Sequence, residues 1–283
     1  MLSWAYNEEK LIGAFLKRAV GLLDQTVRDW ELVIVDDGST DRTPELIAQF
    51  AANEPRVRLV RHPRNLNVGW ACRTAIRHAR KEYLFWETVD WAYDIGNLRI
   101  FLELLKYYDV VQGVRPPLAR MANKFPLPFR LYSLLSQISD RPGTALVSVI
   151  NYYVIRTLFA VPFYDYQNVT FYPTRVLHSL HLQGESSFVN PELLIRTYWR
   201  GLRFIEVPIS FVKRSAGEGK GTKSSAMKRS VNDIVSNWLR WGRGLRPKHQ
   251  RYGGQIFRVM KPYDLPPEVR SLVEPLIHEF ART

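Results

Sequence analysis

What most constrains this chain is the alternation of strand and helix signals over its first 115 residues. Short apolar or β-branched runs at 2–5, 32–35, 57–60, 83–86 and 109–112 predict strands. Between them, apolar residues at helical spacing predict helices at 8–23, about 41–51, 68–79 and 95–106; Leu11, Ala14, Phe15, Ala19 and Leu22 mark the first. Strands alternating with helices of this length build right-handed βαβ units, so the expected fold is α/β, with a mostly parallel central sheet flanked by helices. Ligands of such sheets bind beyond the carboxyl ends of the strands. The stretch ELVIVDDGSTDRT, residues 31–43, puts Asp36 and Asp37 at such an end. Paired carboxylates there suit hydroxyls, base N–H groups or a metal, or they cap the turn and the helix that follows. The turn carries neither G-x-G-x-x-G nor G-x-x-x-x-G-K-[ST], so a dinucleotide fingerprint and a P-loop are both unsupported.

After Arg115 the texture changes. Leu131, Leu134, Leu135 and Ile138 share one helix face. Residues 144–163 form an apolar stretch close to the ~20-residue length of a membrane span. Asn151 and Arg156 interrupt it, and an Arg at a span centre costs ~2.5–3.5 kcal/mol on insertion scales, so a core or interfacial helix is the reading. Residues 203–212 read as a strand broken by Pro208, 224–241 as an amphipathic helix with Trp238, Trp241 and several cations, 242–267 as loop-rich, and 268–280 as a last helix. The chain therefore divides into 1–115, 116–222 and 223–283. Its net charge of +13 is concentrated in residues 213–261, where thirteen Lys or Arg face two acids, Glu218 and Asp233. Such a tract is a solvated basic surface or meets the phosphates of lipid, nucleotide or nucleic acid. No recognised nucleic-acid-binding motif accompanies it, so no nucleic-acid partner is expected. The single cysteine, Cys72, excludes an internal disulfide framework and fits a reducing compartment. Asn7, Glu8, Glu9 and Lys10 break any apolar run at the start, so no signal peptide is read there.

Seven patterns, VDDGSTD among them, occur in a fixed order. AYNEE (5–9), VDDGSTD (35–41) and NVGWACR (67–73) are followed by QGVR (112–115), VPFYDYQNVTFYPT (161–174) and NPELLIRTYWRGLRFIEVPISFVKR (190–214), and RSAGEGK closes the series at 214–220. Together they resemble the family 2 glycosyltransferases of the GT-A fold, a Rossmann-like sheet here extended by interfacial and C-terminal helices. Within that family they resemble the polyprenyl-phosphate glycosyltransferases, the dolichyl-phosphate mannose synthase-like group. The resemblance covers about the first 220 residues.

The resemblance implies an inverting transfer of a sugar from a UDP- or GDP-linked donor to a polyprenyl phosphate, dolichyl or undecaprenyl, by an enzyme peripheral on the cytoplasmic face of an anionic membrane. It implies that Ala5, Tyr6, Glu8, Asp36 or Asp37, Asn67, Gly69 and Arg115 line the donor site. Asp90, Asp165, Arg214 and Lys220 would act in catalysis, the cations on phosphates and Asp165 as an orienting group. Mg2+ or Mn2+ would be the cofactor. Three departures stand out. Trp4 replaces a Pro, and the first strand is shorter than the family's, which implies a start upstream of Met1. The D-x-D after the fourth strand is replaced by WETVDWAYD (86–94), leaving Asp90, then Glu87 and Asp94, as metal ligands. The Ser-Gly-Phe-Arg stretch after Asp165 is Asn-Val-Thr-Phe-Tyr. Two other readings stay open: a saccharide hydroxyl acceptor, with Asp165 or Glu192 as the base such an acceptor needs, and a degenerate member that binds nucleotide-sugar or membrane only.

Overall fold

The computed structural model describes residues 1–115, 142–209, 224–244 and 253–282. The first 115 residues hold β1 (Leu2–Ala5), α1 (Ile12–Thr26), β2 (Leu32–Asp36), α2 (Thr43–Asn53), β3 (Val57–Arg61), α3 (Val68–His78), β4 (Tyr83–Leu84), α4 (Leu98–Leu104) and β5 (Val110–Val114). Then follow α5 (Pro142–Phe159), β6 (Thr170–Pro173), α6 (Thr174–His178), α7 (Val189–Tyr198), β7 (Arg203–Pro208), α8 (Ser224–Asn237), a π turn at Trp238–Gly242, β8 (Gln255–Arg258) and α9 (Pro267–Arg282).

The strands form a three-stranded and a five-stranded block, joined by a single parallel bridge between Leu2 and Trp86. β1, β2 and β3 are parallel, with Ala5 opposite Asp36 and Asp36 opposite Arg61. Leu2 joins them to the second block: its N–H donates to Phe85 O at 2.8 Å and its carbonyl accepts from Glu87 N at 3.2 Å. The order is β3-β2-β1-β4-β6-β5-β7-β8, and β6 alone runs antiparallel to its neighbours. The sheet thus continues across the boundary drawn at residue 115.

Both faces of the sheet are covered. Leu32 and Ile34 pack with α1, α4 and α9, whereas Val33 and Val35 pack with α3, α5 and α7. This period-2 division explains why β2 is an unbroken apolar run. Each such side chain, fully buried, adds ~1.5–3 kcal/mol relative to an exposed one. Asp41 accepts the Thr43 N–H at 3.0 Å, and Pro44 sits in the first turn of α2.

One sequence expectation needs revision. The loop-rich reading of 242–267 misses β8, which pairs with β7 from Arg203 to Glu206. The helix expected at 224–241 is present as α8 continued by the π turn at Trp238–Gly242. Trp238 and Trp241 face inward: Trp238 Nε1 donates to Leu158 O at 3.2 Å, and Trp241 packs on Phe159 with centroids 5.2 Å apart. The apolar stretch around 144–163 is α5, and no helix among the described residues is long and apolar enough to cross a membrane.

Candidate active site

Backbone strain gathers at the carboxyl edge of the sheet. Asn7, Gly38, Asn67 and Trp91 have φ of 51°, 71°, 73° and 55°, and they lie in the loops that follow β1, β2, β3 and β4 respectively. Left-handed non-glycine residues cost ~1–3 kcal/mol each and cluster where a loop must hold a functional geometry. Gly38 is irreplaceable on steric grounds as well, since a Cβ there would sit 2.3 Å from the Arg64 carbonyl carbon. The loops are also tied to each other. Asn7 N donates to Ser39 Oγ at 2.9 Å, Thr40 N to Asn7 Oδ1 at 2.8 Å, and Glu8 N to Thr43 Oγ1 at 2.8 Å. Ala5, Tyr6 and Glu8 therefore stand beside Asp36 and Asp37 in a single clasp, with Asp37 N donating to Ala5 O.

The two aspartates divide their roles. Asp37 Oδ1 lies 2.7 Å from His62 Nδ1 and accepts Leu66 N at 2.9 Å, and His62 Nε2 lies 2.9 Å from Thr74 Oγ1. Burial raises the Asp37 pKa, and the His62 and Leu66 contacts oppose that rise. Asp37 thus holds the β3–α3 loop to the end of β2. Asp36 is fully buried; its Oδ1 accepts Ser39 N at 3.2 Å. Its Oδ2 receives no hydrogen bond among the described residues, and the Arg61 guanidinium 3.3 Å away has a side chain 56% exposed. A buried carboxylate oxygen without a donor is costly unless a ligand supplies one. Asn67 and Gly69, expected beside a nucleotide, lie at the start of α3, and Gly69 also packs against another segment of the chain. Gly69 N donates to Glu185 O at 3.2 Å, and a Cβ on Gly69 would lie 2.4 Å from the Gly184 carbonyl oxygen.

The loop after β4 is organised by Glu87. Its side chain is buried, and Oε1 accepts Thr88 N at 2.8 Å, Thr88 Oγ1 at 3.1 Å and Tyr93 N at 3.4 Å. Burial raises its pKa to about 8 against those hydrogen bonds, and the neighbouring Asp90 charge adds to the rise. Its Oε2 is buried with no hydrogen-bond partner among the described residues. Trp91, held between Phe15 and the Arg18 guanidinium, completes the turn that carries Asp90. Asp94 accepts Gly96 N at 3.0 Å and shapes the approach to α4. Glu87, Asp90 and Asp94 form no three-carboxylate cluster, and no group of three or more His, Cys, Asp or Glu among the described residues could hold a metal alone.

At the end of β5, Arg115 and Asp165 make a two-point ion pair: Nε to Oδ2 at 2.7 Å and Nη2 to Oδ1 at 2.8 Å. Asp165 also accepts Gln167 N at 3.0 Å, Arg115 N at 3.3 Å and Asn168 Nδ2 at 3.4 Å, so both oxygens are saturated. Burial alone pushes the carboxyl up, but the Arg115 charge and these donors outweigh it and hold the pKa below the usual range. Tyr93 donates its hydroxyl to Gln167 O at 2.9 Å, linking this pair to the Asp90 loop. Glu192 is saturated too, by Gln183 N, Gly184 N and Arg196 Nε. Arg214 and Lys220 lie outside the described residues. His62 and Tyr93 were not singled out in the sequence; a lone His and a lone Tyr give no local signal, because their partners are distant in the chain.

An eight-stranded order with one reversed strand and a loop-built carboxyl edge defines a GT-A architecture, and solved structures share it. A mannosyltransferase from Pyrobaculum calidifontis, in complex with GDP-Man and Mn2+, aligns over 97% of this chain and 77% of its own with a TM-score of 0.51 at 14% identity. Glucosyl-3-phosphoglycerate synthase from Mycobacterium tuberculosis aligns over 84% and 79% with a TM-score of 0.53 at 17% identity. The profile of glycosyl transferase family 2 matches residues 4–158, and the chain belongs to that family. A dolichyl-phosphate beta-glucosyltransferase from Trichomonas vaginalis is 31% identical over 136 residues, 44% of this chain and 40% of that relative's length.

Proposed function

We propose that this protein moves a sugar from a nucleotide-sugar to a polyprenyl phosphate, inverting the anomeric centre, while peripheral on the cytoplasmic face of a membrane. The observation that carries the acceptor class is the saturation of Asp165. A hydroxyl acceptor needs a base within reach. Both base candidates, Asp165 and Glu192, have every oxygen occupied, and Asp165 is held ionised by Arg115. A phosphate monoester, with its second pKa near ~6, arrives already ionised and asks for positioning alone. The relative named for dolichyl phosphate supports the same choice.

Asp36 Oδ2 is placed to accept from the base or ribose of a UDP- or GDP-linked donor, with Tyr6 and Glu8 at its side. Arg115, fixed by Asp165, together with Arg214 and Lys220, brings positive charge to donor and acceptor phosphates. The chemistry of the β4 loop fits a divalent cation. Mg2+ and Mn2+ take oxygen ligands, often one or two carboxylates completed by substrate phosphates. Asp90 supplies such an oxygen, and the orphaned Oε2 of Glu87 stands behind it. A cation there would neutralise charge on the departing nucleoside diphosphate.

The test is transfer of labelled sugar from a panel of UDP- and GDP-sugars, with Mg2+ or Mn2+, into an organic-extractable product when a short polyprenyl phosphate is supplied. Asp165→Asn should retain measurable transfer, with no new acidic limb in its kcat/KM profile. Label found only on saccharide acceptors, or a collapse of Asp165→Asn with donor affinity intact, would overturn this reading.

A further inference from the structure

The inner face of α8 is fastened to the body of the protein. Asp233 accepts Glu185 N at 2.8 Å, Ser186 N at 2.9 Å and Ser186 Oγ at 2.8 Å, while Ile234 and Asn237 are buried. Gly242 presses on Phe159, where a Cβ would lie 2.5 Å from a ring carbon. With Trp238 and Trp241 also turned inward, nothing polar is demanded of the outer face. It nevertheless carries an apolar ridge. Val231, Val235 and Leu239, four residues apart, are 45%, 44% and 52% exposed. Residues at i, i+4 and i+8 line up along one side of a helix. Lys228, Arg229, Arg240 and Arg243 are exposed at its two ends. The chain's net charge of +13 is concentrated in the tract to which this helix belongs.

We propose that this ridge is the surface by which the protein docks on an anionic phospholipid bilayer. The helix lies in the plane of the interface, with Val231, Val235 and Leu239 in the acyl boundary and the flanking cations on lipid phosphates. An apolar ridge bounded by Lys and Arg is the pattern of an interfacial helix, and long cationic side chains reach outward to headgroups from such a position. The charge selects the partner. A neutral protein groove would cover the apolar ridge but leave the four cations unmatched, whereas an anionic surface satisfies both. Each cation near such a surface strengthens binding about fivefold, and salt screens that gain. The fastening of the opposite face presents the ridge as a fixed element, so little ordering is needed on docking. The proposal deepens the polyprenyl phosphate reading and rests on it for its purpose, but its test needs no acceptor.

The full chain is sedimented with vesicles of phosphatidylcholine alone and of phosphatidylcholine mixed with phosphatidylglycerol, at low and high salt. Binding is expected to the anionic vesicles, falling with salt. Val231→Gln with Val235→Gln and Leu239→Gln should weaken it tenfold or more while nucleotide affinity, which reports the fold, stays unchanged. A fluorophore on Leu239→Cys, selective because Cys72 is buried, should shift to the blue on anionic vesicles, and one on Glu274→Cys in α9 should not. Equal vesicle binding by the triple variant, or a probe at 239 that stays in water on bound protein, overturns the proposal. So does a dimer in sedimentation velocity that the triple variant abolishes, which would assign the ridge to a second copy. Failure of sugar transfer to a water-soluble short polyprenyl phosphate, with vesicle binding intact, overturns the proposed function and leaves this inference standing.

Discussion

Two buried aspartates at the carboxyl edge of the sheet have opposite surroundings. Asp165, beside the end of β5, has both oxygens filled by Arg115, Gln167 and Asn168. Asp36, at the end of β2, keeps one oxygen without a hydrogen bond among the described residues. Both are buried carboxylates at one edge of the sheet, yet the first is held by a buried two-point ion pair and the second by one N–H and a half-exposed arginine 3.3 Å away. The closed carboxylate positions its partner cation; the open one is the carboxylate proposed above to take donors from a nucleotide. Residue type and burial are the same in the two cases, so hydrogen-bond saturation is what separates them.

The strongest way to break this comparison is at the closed pair. Arg115→Met leaves Asp165 as a buried charge without its partner, and loss of one member of such a pair typically costs ~3–5 kcal/mol. Arg115→Met combined with Asp165→Asn removes the stranded charge and keeps an acceptor for Gln167 N. The double variant should therefore be more stable than Arg115→Met alone. Urea midpoints measure both. If the two changes simply add, the pair is not the closed unit described.

At the open end the expectation reverses. Asp36→Ala should weaken nucleoside diphosphate binding by ~1.5–3 kcal/mol, the value of a hydrogen bond to a charged group. Its cost in stability should be smaller than that of Asp37→Ala, because only Ser39 N at 3.2 Å and the half-exposed Arg61 lose their partner. Asp37→Ala should destabilise by ~1–3 kcal/mol, since His62 Nδ1 and Leu66 N lose their acceptor. Calorimetry and thermal unfolding on the two variants sort them. Equal nucleotide affinity in Asp36→Ala and wild type would move recognition elsewhere.

Much of this architecture was legible in the chain, for a physical reason. β2 is buried on both faces, so Leu32 to Val35 had to be apolar, and the Asp-Asp-Gly that follows marks the end of the strand. The βαβ alternation through β5 likewise comes from local periodicity. β6 and β8 were not legible, because four-residue strands such as Thr170–Pro173 take their identity from neighbours already in place, and β8 is an edge strand paired only with β7. The direction in which Trp238 and Trp241 point depends on α5, far away in sequence. At the site, Asp36 and Asp37 were found together but not told apart. What separates them is His62, 25 residues from Asp37, and no local pattern announces that contact.

Glu87 sharpens the comparison because it stands between the two cases, with Oε1 filled by Thr88 and Tyr93 and Oε2 orphaned. Burial raises its pKa from 4.5 to about 8. A carboxyl whose folded pKa is raised keeps its proton in the folded state after the unfolded chain has released it. Its contribution is complete below the unfolded value and is lost as pH rises through the window between about 4.5 and about 8. Within that window the loss approaches ~1.4 kcal/mol per pH unit. Glu206, raised by burial to about 7 despite its Arg258 partner, contributes with the same sign and forms part of the background. Glu87→Gln has no proton to lose and keeps an acceptor for Thr88 N. Its stability should therefore fall less steeply than wild type from pH 5 to pH 8, against a background common to both proteins, in which Glu206 and the buried Met1 amine, lowered to about 5, act with opposite signs. Urea midpoints at a series of pH values give both slopes. Parallel curves would mean that Glu87 is ionised in the folded state, with a donor on Oε2, and would place it beside Asp165 among the closed carboxylates.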